Sequence, residues 1–552
     1  MAGRRPFETE MRIRMRYLLF PGRHLVNTAF QQGYLKRVLT EPPDSLRGFI
    51  AGRCVPGEPP TEIIFAITSA NQENSRFNPI PFHIRSVGVD RFARLLQADL
   101  SFRYRVYGIP HYGHTANFAA FTLKEIELQS EQLIQLSPEN CLVLCSTPEV
   151  MELYREIGFS IVPAEMAEAG SAAPTPIEVI RALGASGNDW RLNPFIMTNL
   201  ADSHSSLFED FPEVPVRIAR LYQDPLTNQE GGLTESRDYN PYARGMNEII
   251  QLKYLDVRDG IKPGRIVDEG CADGALLAVI SRDFPDSDLF GIDLSAEFAS
   301  RFHERQRAGD FHGAYVHFFH RNLFDRIFDQ DSIDTTLCNS TLHEIWSYGE
   351  GEKSVRKYLA EKLRQLRPGG RLVIRDVVGP EGGEQMVLLW CSDADGKDLS
   401  SGELSGHPGR KKEWLQELST RSRFRLFARD FLQGRNPFPF VEQQHGGRTV
   451  FRLTLRQAAE FLSKKDYIDN WVCEMNEEFC FWNYAQYKRV LSEAGFQVVE
   501  NANQPERGSR VYLNPWIVEH RFQGRVELMR DNGSPLGWPR SNMVVVAEKP
   551  LH

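Results

Sequence analysis

No run of apolar residues in this 552-residue chain approaches the roughly 18 that a membrane-crossing helix needs, so no membrane span is expected. Its eight cysteines are scattered, with no Cys-x-x-Cys pair. That argues against a disulfide frame and against a zinc site; reduced thiols in a cytoplasmic setting, with no bound metal, are the expectation. Positive charge is not in excess. Lys and Arg number 65 against 73 Asp and Glu, a net charge of −8, so the electrostatic footprint of a nucleic-acid binder is missing. No internal repeat is visible. Residues 1–15 read as a mobile arm: Arg4, Arg5, Arg12 and Arg14 make it basic, but acids interrupt it and it lacks the apolar core of a signal peptide. What remains is an ordinary globular composition, 41% hydrophobic and 25% charged. The length suffices for about three domains of ~150 residues.

The chain is organised around Arg265-Ile-Val-Asp-Glu-Gly-Cys-Ala-Asp-Gly-Ala-Leu-Leu277. Ile266-Val267 reads as the end of a buried parallel strand. Asp268, Gly270, Ala272 and Gly274 follow at every second position, and a helical pattern begins at Ala275. Small residues in such a turn let the backbone approach a ligand closely. About 20 residues further on, a second strand ends on Asp293, the geometry that grips ribose hydroxyls. Val316–His320 reads as a third strand and Ser332–Asn339 as a fourth. An amphipathic helix over Tyr358–Leu366 is ended by Arg367-Pro-Gly-Gly370, and Arg371–Asp376 is a fifth strand.

This ordered set resembles the class I S-adenosylmethionine-dependent methyltransferases, whose first motif is Asp/Glu-x-Gly-x-Gly-x-Gly. The resemblance implies S-adenosylmethionine (SAM) as cofactor and a small-molecule methyl acceptor. It places Asp268, Gly270, Cys271, Ala272 and Gly274 around the methionine end of SAM. Asp293 and Leu294 fall at the ribose, Asn322 near the adenine, and Asn339 at the end of the fourth strand. The following loop, Ser340-Thr-Leu-His343-Glu344, faces the transferring methyl in that family. His343 is either a general base, since an imidazole titrates near neutrality, or a residue that only shapes the pocket. Glu344 either orients it or contacts the SAM side.

The first half alternates strands and helices, which implies a parallel three-layer domain. Strands are expected at Arg16–Phe20, Thr61–Ala70, Ser101–Gly108 and Cys141–Cys145. Helices are expected through Leu39, over Ile84–Leu96 and Pro148–Gly158, and from Thr175 to Leu183. Thr175, Pro176 and Glu178 form a capping-box pattern. Gly22-Arg23, Phe30-Gln-Gln-Gly-Tyr-Leu35, Ile67-Thr-Ser-Ala-Asn-Gln72 and Thr175 together resemble the archaeal type of nicotinamide-mononucleotide adenylyltransferase. The resemblance implies a nucleotide ligand held by Gly22, Arg23, His24, Ser69 and Thr175. Gln31 and Tyr34 stand where that family has two phosphate-stabilising His, and Glu178 where it has an Arg. The domain is therefore expected to bind a nucleotide-like ligand or to be structural, ahead of being an active nucleotidyltransferase. His111-Tyr-Gly-His114 repeats the missing motif literally, but after the third strand, and Arg181 could substitute for the lost Arg.

Residues 201–245 have a linker's composition, rich in Pro, Gly and polar residues. Tyr239 and Tyr242, at its end, are candidates for cofactor or substrate contact. Residues 379–478 are read as a helical cap insertion, rich in aromatics, with Arg421, Arg423, Arg425 and Arg429 as a solvated face or an anion pocket. Val526–Met529 and Met543–Ala547 would complete the sheet antiparallel. The expected fold is thus α/β: two Rossmann-like doubly wound three-layer domains, at 16–200 and 246–552, the second with its cap. Two rival functions follow from the same features, a bifunctional nucleotidyltransferase and methyltransferase, or a non-enzymatic nucleotide or SAM sensor.

Overall fold

The computed structural model describes residues 16–55, 57–112, 117–164, 173–224, 250–405, 411–434, 438–500 and 507–551. The arm at 1–15, His114, Tyr239 and Tyr242 lie outside the described residues. The chain divides into two units, residues 1–232 and 233–552. Among the described residues no helix is long and apolar enough to cross a membrane.

In the first unit, five apolar runs become strands β1 (Tyr17–Gly22), β2 (Glu62–Thr68), β3 (Arg103–Ile109), β4 (Cys141–Cys145) and β5 (Ser160–Pro163). They form one sheet in the order β3-β2-β1-β4-β5, with every neighbouring pair parallel. Side chains alternate across a strand, and this alternation makes the three layers. Leu18 and Phe20 pack with Leu35, Val89 and Phe92 on one face. Tyr17 and Leu19 pack with Ile126 and Tyr154 on the other. β5 and the helix Phe118–Gln129 were not foreseen.

The supposed linker is corrected over its first half. Asp202–Asp210 and Glu213–Gln223 are helices. Leu207, Phe208, Val214 and Ile218 bury into a core with Val179, Ile180 and Leu183. Pro212 and Pro215 fall at the cap and in the first turn of the second helix, where a missing N–H costs little, so they start it instead of breaking it.

The second unit carries β6 (Arg265–Glu269), β7 (Asp288–Asp293), β8 (Val316–His320), β9 (Ile333–Asn339) and β10 (Leu366–Val377). After these come β11 (Met386–Cys391), β12 (Val441–His445), β13 (Arg448–Thr454), β14 (Gln497–Val498), β15 (Arg510–Tyr512), β16 (Val526–Arg530) and β17 (Asn542–Glu548). The main sheet runs β14-β17-β10-β9-β6-β7-β8, with β15 also on β17. The five strands β6 to β10 are parallel, and β17 returns antiparallel beside β10. Ile266, Leu337 and Val373 face one core, and Val267, Cys338 and Ile374 the other. The Arg-Pro-Gly-Gly stretch lies inside β10, as a register shift between Leu366 and Arg371, and the preceding helix ends at Gln365.

The insertion is not purely helical. β11, β12 and β13 form a separate antiparallel sheet with β16, in the order β12-β13-β11-β16. β16 was expected in the main sheet. Its apolar run fits either sheet, and pairing with β11 decides the matter. Gly446 and Gly447, with φ of +58° and +75°, make the two-residue hairpin loop between β12 and β13. The aromatics are the insertion's own core: Phe424, Phe427, Phe451 and Phe461 are buried together. The Arg cluster is not a vacant anion pocket. Arg421 pairs with Asp398 at 3.0 Å, Arg423 with Asp466 at 3.2 Å, Arg425 with Glu442 at 2.7 Å and Arg429 with Asp430 at 3.1 Å.

Candidate functional site

The turn after β6 is built by backbone geometry. Gly270, Ala272 and Gly274 all have positive φ, +70°, +48° and +78°. The N–H groups of Gly270 and Cys271 donate to the Ile292 carbonyl at the end of β7, at 2.9 and 3.2 Å. A Cβ on Gly270 would come within 2.4 Å of Thr341 Oγ1. Asp293 closes the turn: its Oδ2 accepts from Ala272 N and its Oδ1 from Ser295 N, each at 2.9 Å. Each oxygen keeps a lone pair, and the side chain is half-buried. Burial pushes this carboxyl up to about 6, against the opposing pull of the backbone amides of Ser295, Ala272 and Leu294.

A cleft is lined by Lys253, Asp268, Gly270, Cys271, Ala272 and Asn339. Burial pushes Asp268 up to about 8 despite the nearby Lys253. Burial likewise pulls Lys253 down to about 7, against the attraction of Asp268, Asp376 and Glu344. The buried Asn339 Nδ2 has no hydrogen-bond partner among the described residues. Lys253 was missed by sequence reasoning, because a lone Lys in a helix has no motif. Leu294 is placed by its carbonyl, which accepts from His320 Nε2 at 2.9 Å. Asp293, Leu294 and Asn322 are not among the residues that line this cleft. Asn322 Oδ1 accepts from Phe324 N at 3.1 Å in a local turn, so the oxygen expected at the adenine already serves the backbone.

Beyond β9, the helix Leu342–Tyr348 starts on the carboxylate of Asp376, at the end of β10. Asp376 Oδ2 accepts from Leu342 N at 2.9 Å and His343 N at 3.2 Å, and its Oδ1 lies 2.7 Å from His343 Nδ1. On the far side of the ring, Nε2 is 3.5 Å from Glu477 Oε2, and Phe479 packs edge-on at 4.7 Å. Burial alone would lower this imidazole. The carboxylates of Asp376 and Glu477 outweigh it and hold His343 well above its ordinary value. Both ring nitrogens of His343 thus face carboxylates, Asp376 at Nδ1 and Glu477 at Nε2. Glu344 is half-buried beside it, and its charge acts on both Lys253 and Asp293. Asp376 and Glu477 had no local signal, since each meets His343 only through the fold.

The candidate nucleotide residues of the first unit separate. His24 is 6% exposed, with φ +47°, and its Nε2 donates to the Phe20 carbonyl at 3.0 Å. It packs against Phe20 and Phe65, and burial pushes it down to about 4, so it is a neutral core residue and not a phosphate contact. Gly22 ends β1. Arg23 is exposed, over the Phe77 ring at 5.2 Å. Ser69, with φ +54°, follows β2. Arg85 ties these loops together by donating to the carbonyls of Arg23, Thr68 and Ser69 at 2.8–2.9 Å. Gln31 and Glu178 are spent on capping boxes with Thr28 and Thr175. His111 is held in its loop by Asn71, whose Oδ1 accepts the His111 N–H at 2.7 Å.

Residues 267–374 match the family model described as "Methyltransferase domain". No curated protein sequence matches the chain. Solved structures resemble it in fold. A SAM-dependent methyltransferase from Methanosarcina mazei is 14% identical, covers 54% of this chain and 97% of its own, and has a TM-score of 0.28. One from Clostridium acetobutylicum is 10% identical, covers 56% and 99%, and has a TM-score of 0.29. A geranyl diphosphate C-methyltransferase from Streptomyces coelicolor, solved with Mg2+, geranyl diphosphate and S-adenosyl-L-homocysteine, is 12% identical, covers 59% and 89%, and has a TM-score of 0.28. At such identities and TM-scores these neighbours carry no argument about acceptor or chemistry. The second unit thus contains a methyltransferase domain, and SAM is its cofactor. The residues present fit it: a small-residue turn at Gly270, Ala272 and Gly274 with positive φ throughout, and an unpartnered buried amide at Asn339 on the cleft.

Proposed function

We propose that the second unit transfers the methyl group of SAM to a small-molecule acceptor, and that the first unit binds a nucleotide, which favours a nucleotide-linked acceptor. SAM supplies a methyl on a cationic sulfur. An acceptor lone pair forms a bond to that carbon as the C–S bond breaks and its electron pair returns to sulfur, leaving neutral S-adenosylhomocysteine. The chain's part is to align the two partners and exclude water. Gly270, Ala272 and Asp293 would hold the cofactor, with Lys253 and Asp268 on the wall of the cleft that Gly270 and Ala272 also line.

The observation that carries the small-acceptor reading is the return of the insertion onto the loop beyond β9. Tyr348 donates to Glu477 Oε1 at 3.1 Å, Trp346 Nε1 to Glu478 Oε2 at 2.9 Å, and Trp346 stacks on Phe481 at 4.4 Å. A wall there suits a small acceptor better than a polymer. Calorimetric titration with SAM tests the cofactor half: a 1:1 site is expected, and no binding would sink the reading. Panels of nucleotide-linked acceptors then test for S-adenosylhomocysteine release.

A second reading keeps a nucleotide activity in the first unit. Arg85 favours it. Its guanidinium is buried, makes no ion pair among the described residues, and stands with Arg23 at the carboxyl ends of β1 and β2. Burial and Arg23 pull it down to about 10. The inward turn of His24 and the capping roles of Gln31 and Glu178 favour binding over catalysis. Titration with NMN and with ATP, followed by a pyrophosphate-release assay, separates the two.

A further inference from the structure

Three donor groups meet just past β9. One ring nitrogen of His343 and one carboxylate oxygen each of Glu344 and Glu477 all lie within 4.8 Å of one another. His343 Nε2 stands 3.5 Å from Glu477 Oε2, at the outer limit of a hydrogen bond. Two ligands about 2.1 Å from one ion, at tetrahedral angles, stand about 3.4 Å apart. The spacing therefore matches an edge of a coordination shell better than a direct pair.

The supporting shell is in place. Metal-binding imidazoles commonly donate their second ring N–H to a carboxylate, which fixes the tautomer and aims the other nitrogen. Asp376 Oδ1 does this to His343 Nδ1 at 2.7 Å, and Asp376 is itself held by three backbone N–H groups. Glu477 is oriented by Tyr348, which donates to Oε1 at 3.1 Å, and its Oε2 is the oxygen 3.5 Å from the ring. Charge points the same way. Asp376 and Glu477 are 0% and 1% exposed, and with Glu344 they set three carboxylates around one imidazole. Buried carboxylates are costly unless hydrogen bonds, a charged imidazole or a bound cation balance them.

We propose that His343, Glu344 and Glu477 form a binding site for a divalent first-row transition cation, of the Mn2+ or Zn2+ kind. One imidazole and two carboxylates suit those ions. Three protein ligands leave a position for water or for an oxygen of the acceptor. The acceptor role rests on the methyltransferase reading; the metal site does not. The proposed site departs from the expectation of no metal: its ligands come from two segments more than 130 residues apart and have no motif spacing.

The test uses the full chain, stripped with chelator and titrated with Mn2+ alone, read by electron paramagnetic resonance, and with Zn2+ alone, read by calorimetry. A 1:1 site with Kd below about 10 μM is expected, weakened by about tenfold or more in Glu344→Gln and Glu477→Gln. Glu344 is half-buried, so Glu344→Gln remains informative if Glu477→Gln fails to fold. No 1:1 site at that affinity overturns the proposal, as does a site whose affinity folded Glu344→Gln leaves unchanged. SAM binding, measured separately in chelator, decides the methyltransferase reading independently.

Discussion

Oδ2 of Asp293 accepts the backbone N–H of Ala272 at 2.9 Å, so the acidic end of β7 holds the turn that follows β6. The same carboxylate serves Ser295 N through its other oxygen. The residue expected to grip a ribose therefore also fixes the turn after β6.

Asp293→Asn should damage both roles. Asn has one acceptor oxygen where Asp has two, so one backbone N–H loses its partner, at a cost of about 1–3 kcal/mol. Thermal denaturation should show that loss, and SAM titration a Kd weakened by about tenfold or more. Unchanged SAM affinity would remove Asp293 from the site.

Gly270→Ala should abolish SAM binding while leaving the chain folded. The new Cβ would meet Thr341 Oγ1 at 2.4 Å, in a backbone with φ +70° that costs an L-residue about 1–2 kcal/mol. Calorimetry with SAM, beside circular dichroism to show retained structure, checks this. Wild-type affinity would mean that the turn is not the cofactor cradle.

The first unit should lose stability in mild acid. Burial pushes His24 down to about 4 and His204 to about 3, whereas an unfolded His titrates near 6.5. Below about pH 6.5 the unfolded chain binds more protons than the folded one. Stability from these groups is therefore complete above that pH and falls as pH drops toward 4, by at most about 1.4 kcal/mol per pH unit for each His. Urea denaturation followed by Trp190 fluorescence between pH 7 and pH 4.5 measures the slope. His24→Gln should flatten it, and an equal slope in that variant would refute the assignment.

The hairpin between β12 and β13 should accept Gly446→Asn and resist Gly447→Val. Asn tolerates the left-handed conformation at the first position of such a turn, whereas Val at φ +75° costs about 1–2 kcal/mol or more. Differential scanning calorimetry of both variants makes the comparison, and equal melting temperatures would mean that the loop adopts another turn.

Much of both main sheets was legible because their signals are local. A run such as Ile266-Val267 followed by small residues at every second position describes a strand and a turn whatever surrounds it. Thr175-Pro-Ile-Glu178 likewise foretold its capping box. The prolines of 212–215 misled because Pro punctuates or begins a helix depending on its position, which composition does not reveal. The Gly446-Gly447 turn signal was present and was hidden in a segment dominated by helical aromatics.

The sequence alone determined two alternating α/β units and the SAM-type turn, since periodicity, turn chemistry and capping act over a few residues. Only the tertiary structure decided that β16 joins β11, that His24 turns into the core, and that His343 lies between Asp376 and Glu477. Those outcomes depend on which distant side chains packing brings together, and on how burial then sets their charge. Neither is a property of any short stretch of the chain.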